Sequence, residues 1–283
     1  MSGPIPVLRT LPQMRELTGQ WRRAGESFGL VPTMGALHAG HLELVRQVKA
    51  RCRHVVVSIF VNPTQFAPHE DFDRYPRDEA GDLAKLASVG CDAVWSPDRE
   101  VMYPAGFATR VVPAGAAEGL ETDFRPHFFG GVATVCCKLF TQVGPDIAAF
   151  GEKDFQQLAV VRQMVRDLDL PLQILGVPTV READGLAMSS RNAYLSAAQR
   201  AQATAMYRSI TALAAAARAG ADLASAEAAA GKALRDAGFD KVDYVAVRDA
   251  TTLKPPATGT TEGLRVLAAA WLGKTRLIDN IPV

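Results

Sequence analysis

Cysteine is scarce in this chain, and the four present, Cys52, Cys91 and the adjacent Cys136 and Cys137, form no C-x-x-C pair. That excludes a disulfide scaffold and the common zinc modules, and it fits the reducing cytosol, so a cytoplasmic location is expected. Histidine adds no zinc spacing, since His54, His69 and His127 stand apart. An excess of one charge is also missing: 31 Lys and Arg face 30 Asp and Glu, for a net charge of +1. No basic footprint for nucleic acid and no polybasic membrane patch follow from that balance. No uninterrupted apolar stretch reaches the roughly 18 residues of a membrane span. Met1-Ser2-Gly3-Pro4 opens without the charged-then-apolar pattern of a secretory leader. The 283 residues are enough for an ample core and about two domains.

What the chain does have is a glycine-bearing turn, Pro32-Thr-Met-Gly-Ala-Leu-His-Ala-Gly-His41, directly after the apolar run Phe28-Gly-Leu-Val31. Strand, tight turn, then helix is where an open α/β sheet places its nucleotide crevice. His38 and His41 lie three apart and so share one helix face. A helix N-terminus with imidazoles beside it is suited to phosphate, which points to chemistry on a nucleoside triphosphate. Gly35 and Gly40 match P-loop glycine spacing, but His41-Leu42 stand where that loop needs Lys and Ser or Thr. An isolated histidine pair reads more simply as a turn residue and a helix cap; the glycines and the preceding strand favour the phosphate reading.

The first two thirds of the chain alternate strand and helix patterns. Thr10 caps a predicted helix over 11–24, and predicted strands fall at 28–31, 54–61, 92–95, 146–150 and 172–177. Predicted helices run over 78–89, 132–143 and 154–168, the last with Phe155, Leu158, Val161 and Val165 in register. The pattern implies an α/β fold, a Rossmann-like doubly wound parallel sheet. From Ser196 to Ala237 the chain is alanine-rich, broken at Gly220, with enough Met, Ile and Leu for two packed helices rather than a linker. Strands at 243–247 and 264–272 complete a smaller C-terminal α+β domain. The division is placed as 1–179 and 180–283.

Three further segments carry polar groups suited to ligands. Met188-Ser189-Ser190-Arg191 follows an Asp184-Gly185 turn; two hydroxyls and a guanidinium can grip phosphate oxygens, although such a triplet is most often a solvated loop or a cap. Gly151-Glu152-Lys153-Asp154 opens a helix after a strand, placing Lys153 to hold an anion, while Asp154 is equally a helix cap with Gln157 closing the box. Phe60-Val-Asn62-Pro-Thr-Gln65-Phe66 ends its strand in amides, which suit a hydroxylated acid; the plainer reading is an Asn-Pro turn.

Taken jointly, PTMGALHxGH, FVNPxQF, GEKDxQQ and SSRN resemble the pantoate–beta-alanine ligase family of the HxGH nucleotidylyltransferase superfamily, over nearly the whole chain. The resemblance implies that ATP is bound by Met34, Gly35, Ala36, Leu37, His38, Ala39, Gly40 and His41. His41 would be the proton donor and His38 would stabilise the phosphates. Gly151, Glu152, Lys153, Asp154, Val180, Met188, Ser189, Ser190 and Arg191 would complete the ATP contacts. Gln65 would meet pantoate and beta-alanine, Gln157 pantoate, and Asn62 is a further substrate candidate. The family is Mg2+-dependent, which makes Asp82 a candidate metal contact beside the plainer reading of a solvated helix carboxylate. It also implies a homodimer, a pantoyl-adenylate intermediate, and closure of the small domain carrying Arg191 as a lid.

One stretch departs from the family. Where relatives usually read Arg-Pro-Gly-His-Phe, this chain has Arg125-Pro126-His127-Phe128-Phe129, so without a gap His127 takes the glycine position and Phe128 the histidine position. If the usual histidine meets pantoate, that contact is lost here or supplied by His127 after a local shift. Two other classes are compatible with the histidine motif: a different HxGH adenylyltransferase, and a non-catalytic ATP-binding protein.

Overall fold

Short apolar, β-branched runs become the strands of a parallel sheet. In the computed structural model, which describes residues 4–67 and 72–283, they are β1 (Val7–Leu8), β2 (Phe28–Thr33), β3 (His54–Ile59), β4 (Ala93–Trp95), β5 (Ile147–Gly151) and β6 (Gln173–Val177). His69 and residues 1–3, read above for metal spacing and for a leader, lie outside the described residues. Helices α1 (Leu11–Arg23), α2 (Ala39–Lys49), α3 (Glu79–Ser88), α4 (Arg99–Met102), α5 (Glu121–Phe124), α6 (Phe128–Val143) and α7 (Phe155–Asp167) connect them. Thr10 caps α1 as expected, in a reciprocal capping box with Gln13, a device that contributes about 1 kcal/mol.

The described residues form two compact units. The first holds residues up to Gly151 together with Gln157–Val177; the second holds Glu152–Gln156 together with Pro178–Val283. Five residues after β5 therefore pack with the later unit, a detail that a single cut at 179/180 omits.

In the first unit the six strands run β1-β4-β3-β2-β5-β6, every pairing parallel. This is the α/β sheet read from the sequence. Val55, Val56 and Val57 of β3 are all fully buried, as expected of an interior strand covered on both faces. Val45 and Val48 of α2 pack against Val31, Val55 and Val57. The chain leaves β2 for β3 on one side and later enters β5 on the other, so the topological switch point falls at β2, whose carboxyl end launches the histidine loop.

The second unit packs α8 (Ala197–Arg218) and α9 (Leu223–Asp236) on an antiparallel sheet of β7 (Lys241–Asp249), β8 (Leu264–Leu272) and β9 (Thr275–Pro282). Met206, Ile210, Leu213 and Leu234 pack with Val266, Ala268 and Leu272 in one core. The alanine-rich stretch is thus packed helix, split around Gly220 at φ +75°. Two strands were not expected. β1 has only two residues, and β9 carries Asp279 and Asn280 at buried positions, which breaks the apolar alternation that announces a strand. No helix among the described residues is long and apolar enough to cross a membrane.

Candidate active site

The histidine loop of the first unit is built by backbone strain and a buried charge. At the end of β2, Thr33 Oγ1 donates to Ser58 O (2.7 Å) and accepts from Gly35 N (3.2 Å). The chain then turns through two left-handed residues, Gly35 (φ +82°) and Ala36 (φ +52°). Glycine is at ease there, whereas a Cβ-bearing residue such as Ala36 is held only if its surroundings insist. Asp82 on α3 supplies the insistence: its Oδ2 accepts from Ala36 N and its Oδ1 from Leu37 N, both at 2.8 Å. Lys85, one turn along α3, donates to Leu37 O (2.9 Å) and lies 3.5 Å from Asp82 Oδ1.

Asp82, expected as a metal contact or a solvated helix carboxylate, is not solvated: it is 1% exposed and each oxygen accepts from the loop backbone. Among the described residues no group of three or more His, Cys, Asp or Glu side chains is placed to hold a metal ion.

The two histidines cap α2 and keep their chemistry. His38 is the N-cap; its Nδ1 accepts from Gly40 N (3.2 Å), while His41 Nδ1 accepts from His38 N (3.3 Å). The rings lie 4.1 Å apart, centroid to centroid. An Nδ1 that accepts a hydrogen bond places the proton of the neutral ring on Nε2. Capping thus uses Nδ1 of each ring, a different nitrogen from the one that carries the proton. The two readings of the pair are compatible.

The amide segment after β3 is equally ordered. Asn62, expected to meet substrate, is 1% exposed. Its Nδ2 donates to Gln65 Oε1 (2.8 Å) and Gly131 O (3.2 Å), and its Oδ1 accepts from Tyr103 OH (2.9 Å) and Thr64 Oγ1 (2.9 Å). Burial raises the Tyr103 hydroxyl's pKa, although a hydrogen bond with Thr64 opposes the rise; Tyr103 therefore stays a donor. Asn62 orients Gln65, whose amide is left with its NH2 end to donate to a carboxylate or hydroxyl. Gly131 has to be glycine, because a Cβ there would run into Thr64 O.

Arg125 closes this cluster. It donates to Gln65 O (2.9 Å), pairs with the buried Glu121 (3.1 Å), and lies 3.9 Å over the ring of Phe128. His127 is exposed, so no local shift brings it inward. Phe128 is the wall against which Arg125 lies. Sequence reasoning missed Tyr103, Glu121, Arg125 and Lys85, because nothing in their spacing marks them. Gln157 stands half-buried in the first turn of α7.

In the second unit, Glu152–Asp154 forms a 3-10 turn leading into α7, with Lys153 Nζ 3.7 Å from Asp154 Oδ2. Asp184-Gly185 turns as expected, with Gly185 at φ +90° and Leu186 N donating to Asp184 Oδ1. Hydrogen bonding to Arg200 holds the Asp184 carboxyl below the usual carboxylate range. Ser189 caps the 3-10 turn Ser190–Tyr194 by accepting from Arg191 N (3.3 Å). Thr179 Oγ1 and Asn192 Oδ1 are buried without a hydrogen-bond partner among the described residues. Buried polar atoms are rarely left so, and these flank Val180 and Met188–Arg191, the segments expected to touch nucleotide.

A family model described as Pantoate-beta-alanine ligase matches residues 6–282. The chain belongs to the pantoate-beta-alanine ligase family. It is 54% identical to the pantothenate synthetase of Caulobacter vibrioides over the full length of both chains. A crystal structure of pantothenate synthetase from Thermus thermophilus is 45% identical, superimposes with a TM-score of 0.92, and is matched over 98% of this chain and 99% of that one. The Francisella tularensis pantoate-beta-alanine ligase, solved with beta-gamma ATP and beta-alanine, is 32% identical with a TM-score of 0.84, over 98% and 97% of the two chains. As a member of the pantoate-beta-alanine ligase family, the chain is a ligase of pantothenate biosynthesis, and the activity expected from the motifs stands.

Proposed function

We propose that the enzyme makes pantothenate in two steps on ATP, with pantoyl adenylate between them. A pantoate carboxylate oxygen attacks the α-phosphorus, the bond from that phosphorus to the bridging oxygen breaks, and pyrophosphate leaves. The neutral amine of beta-alanine then attacks the acyl carbon; AMP leaves, the amide forms and the nitrogen loses a proton. The observation that carries this reading is the pair of backbone hydrogen bonds to Nδ1 of His38 and His41 at the start of α2, which leaves the proton of each neutral ring on Nε2.

His41 serves as proton donor and His38 stabilises the phosphates by donating a hydrogen bond to their oxygens, while Met34–Gly40 supply the loop that holds both. Lys153 and Arg191 neutralise charge that grows on the phosphoryl oxygens, and Gly151–Asp154, Val180 and Met188–Arg191 form their nucleotide contacts. Gln65, held by Asn62, donates to pantoate and beta-alanine; Gln157 donates to pantoate. Mg2+ bound with the nucleotide would supply charge neutralisation on the triphosphate, and an ion that favours phosphate oxygens and water would ask few ligands of the protein. That fits a loop in which Asp82 is already committed to the backbone. The family resemblance further supports a cytoplasmic homodimer, whose mass light scattering would measure.

The test is pyrophosphate release from purified protein with ATP, Mg2+ and pantoate, followed by AMP and pantothenate once beta-alanine is added. His41→Ala and Lys153→Ala are expected to slow adenylate formation by about 10²–10³, the usual cost of losing one preorganised donor. Wild-type rates in either folded variant would remove that residue from the mechanism. ATP binding without pantoate-dependent pyrophosphate would instead favour a binding-only protein.

A further inference from the structure

Two adjacent residues of β9 each grip one of the second unit's two nucleotide segments. Asn280, 3% exposed, donates through Nδ2 to Glu152 O (2.9 Å) and Lys153 O (2.7 Å). Those carbonyls belong to the two peptide groups that flank the Lys153 α-carbon, so one amide fixes the direction in which the lysine side chain leaves the turn. Asn280 Oδ1 in turn accepts from Arg265 Nε (2.6 Å). The same guanidinium reaches Glu152 Oε2 (3.0 Å) and lies 3.8 Å over the ring of Phe155.

Asp279, whose side chain leaves the opposite face of the strand, takes Arg181 in a two-pronged pair at 2.7 and 2.9 Å. Arg181 also donates to Gly185 O (3.0 Å) and lies 4.2 Å over the ring of Tyr207. It forms an antiparallel bridge with Ala187, and Met188 N donates to Val180 O (3.0 Å). Arg181 thus anchors the base of the hairpin that continues into Ser189–Arg191. Asp279 Oδ1 additionally accepts from Asn280 N (2.7 Å), which ties the two grips together.

We infer that Asp279 and Asn280 are a positioning pair for the nucleotide, and that Asn280 acts on ATP through Lys153. The residue types follow from the chemistry. Position 280 needs a donor for two carbonyls and an acceptor for Arg265 in one side chain, which an amide provides and a carboxylate does not. Position 279 needs a full negative charge, because a largely buried guanidinium left without its counter-charge is costly.

The inference rests on the assignment of Lys153 to the nucleotide, and a double-mutant cycle on ATP affinity tests it apart from turnover. Calorimetric titration with ATP and Mg2+ would compare wild type, Asn280→Ala, Lys153→Ala and the double variant, each with its thermal unfolding measured. Asn280→Ala is expected to weaken ATP about tenfold and to add less than about twofold once Lys153 is already alanine. Independent, multiplying losses would overturn the inference, as would wild-type affinity in folded Asn280→Ala. If Asn280→Ala fails to fold, Arg265→Lys runs the same cycle, since it keeps the charge beside Glu152 and loses the fork that also holds Asn280. ATP binding by wild type without pantoate-dependent pyrophosphate release would sink the proposed function while leaving the cycle readable.

Discussion

The histidine loop and the Lys153 turn are both held in place, but by different means. The first is anchored by a carboxylate, Asp82, 45 and 46 residues along the chain; the second by a neutral amide, Asn280, 127 and 128 residues away. Geometry accounts for the choice. The loop passes through the left-handed residues Gly35 and Ala36 and turns two backbone N–H groups onto one point, which a charged acceptor satisfies best. The Glu152–Asp154 turn is a 3-10 turn with no left-handed residue, and what it offers are carbonyls, which call for a donor. A strained loop is held by charge, and a regular turn is held by a well-aimed amide.

The most damaging way to break this contrast is Asp82→Ala. It removes the acceptor of the buried Leu37 N–H, at about 1–3 kcal/mol, and of the half-buried Ala36 N–H, and it frees Ala36 to relax. Thermal unfolding is expected to fall, and pyrophosphate release is expected to drop further than Tm alone explains, because His38 and His41 lose their setting. Asp82→Asn sharpens the point: it keeps one acceptor and loses the other, so a Tm equal to wild type would show that the charge is unnecessary.

A buried carboxylate that serves the sheet alone provides the next test. Asp243 is bonded by Arg276 Nε (2.7 Å) and Trp271 Nε1 (3.0 Å) and lies 2.8 Å from Lys241 Nζ. Burial by itself raises its pKa, but the hydrogen bonds from Lys241, Arg276 and Trp271 outweigh burial and hold it below the ordinary carboxylate value. A lowered folded pKa contributes stability that is fully present above the unfolded value, about 3.9, and is lost as pH falls through the folded one. Asp243→Asn is therefore expected to cost about 1.5–3 kcal/mol at pH 7, a gap to wild type that closes on acidification below the unfolded value. ATP affinity should not change; if it did, the distinction between anchors of the fold and anchors of the site would fail.

The smallest expected effect belongs to Phe128→Leu, which removes the aromatic face under Arg125 and about 0.5–1 kcal/mol of cation–π attraction. Because Arg125 reaches Gln65 O rather than the histidine loop, KM for pantoate should rise about twofold on that loss of attraction with KM for ATP unchanged. The reverse pattern would show that the aromatic wall serves the nucleotide.

Legibility followed the same divide. The Thr10 cap, the valines of β3 and the histidine loop were readable because their signals lie within a few residues, in caps, β-branched runs and glycine placement. Arg265 and Asn280, and the backbone-anchoring roles of Asp82 and Arg125, were not, since their partners are set by topology and no spacing announces them. Strand β9 shows why most plainly: Asp279 and Asn280, the residues that hide it from a hydrophobic pattern, are buried because they do polar work. The Arg125–Phe129 departure was visible, but only the packing shows Phe128 turned to Arg125 and His127 left outside.

The excursion of residues 152–156 into the second unit also sets an order of events during synthesis. The turn that carries Lys153 emerges from the ribosome 127 residues before its amide anchor. A nascent chain that has completed the parallel sheet still has that turn unfastened, and it stays so until Arg265 and then Asn280 have been translated. Termination after the parallel sheet is complete at Val177 but before residue 280 thus yields a protein with its histidine loop anchored and its lysine unaimed. Synthesis of β9 is what fastens the Lys153 turn.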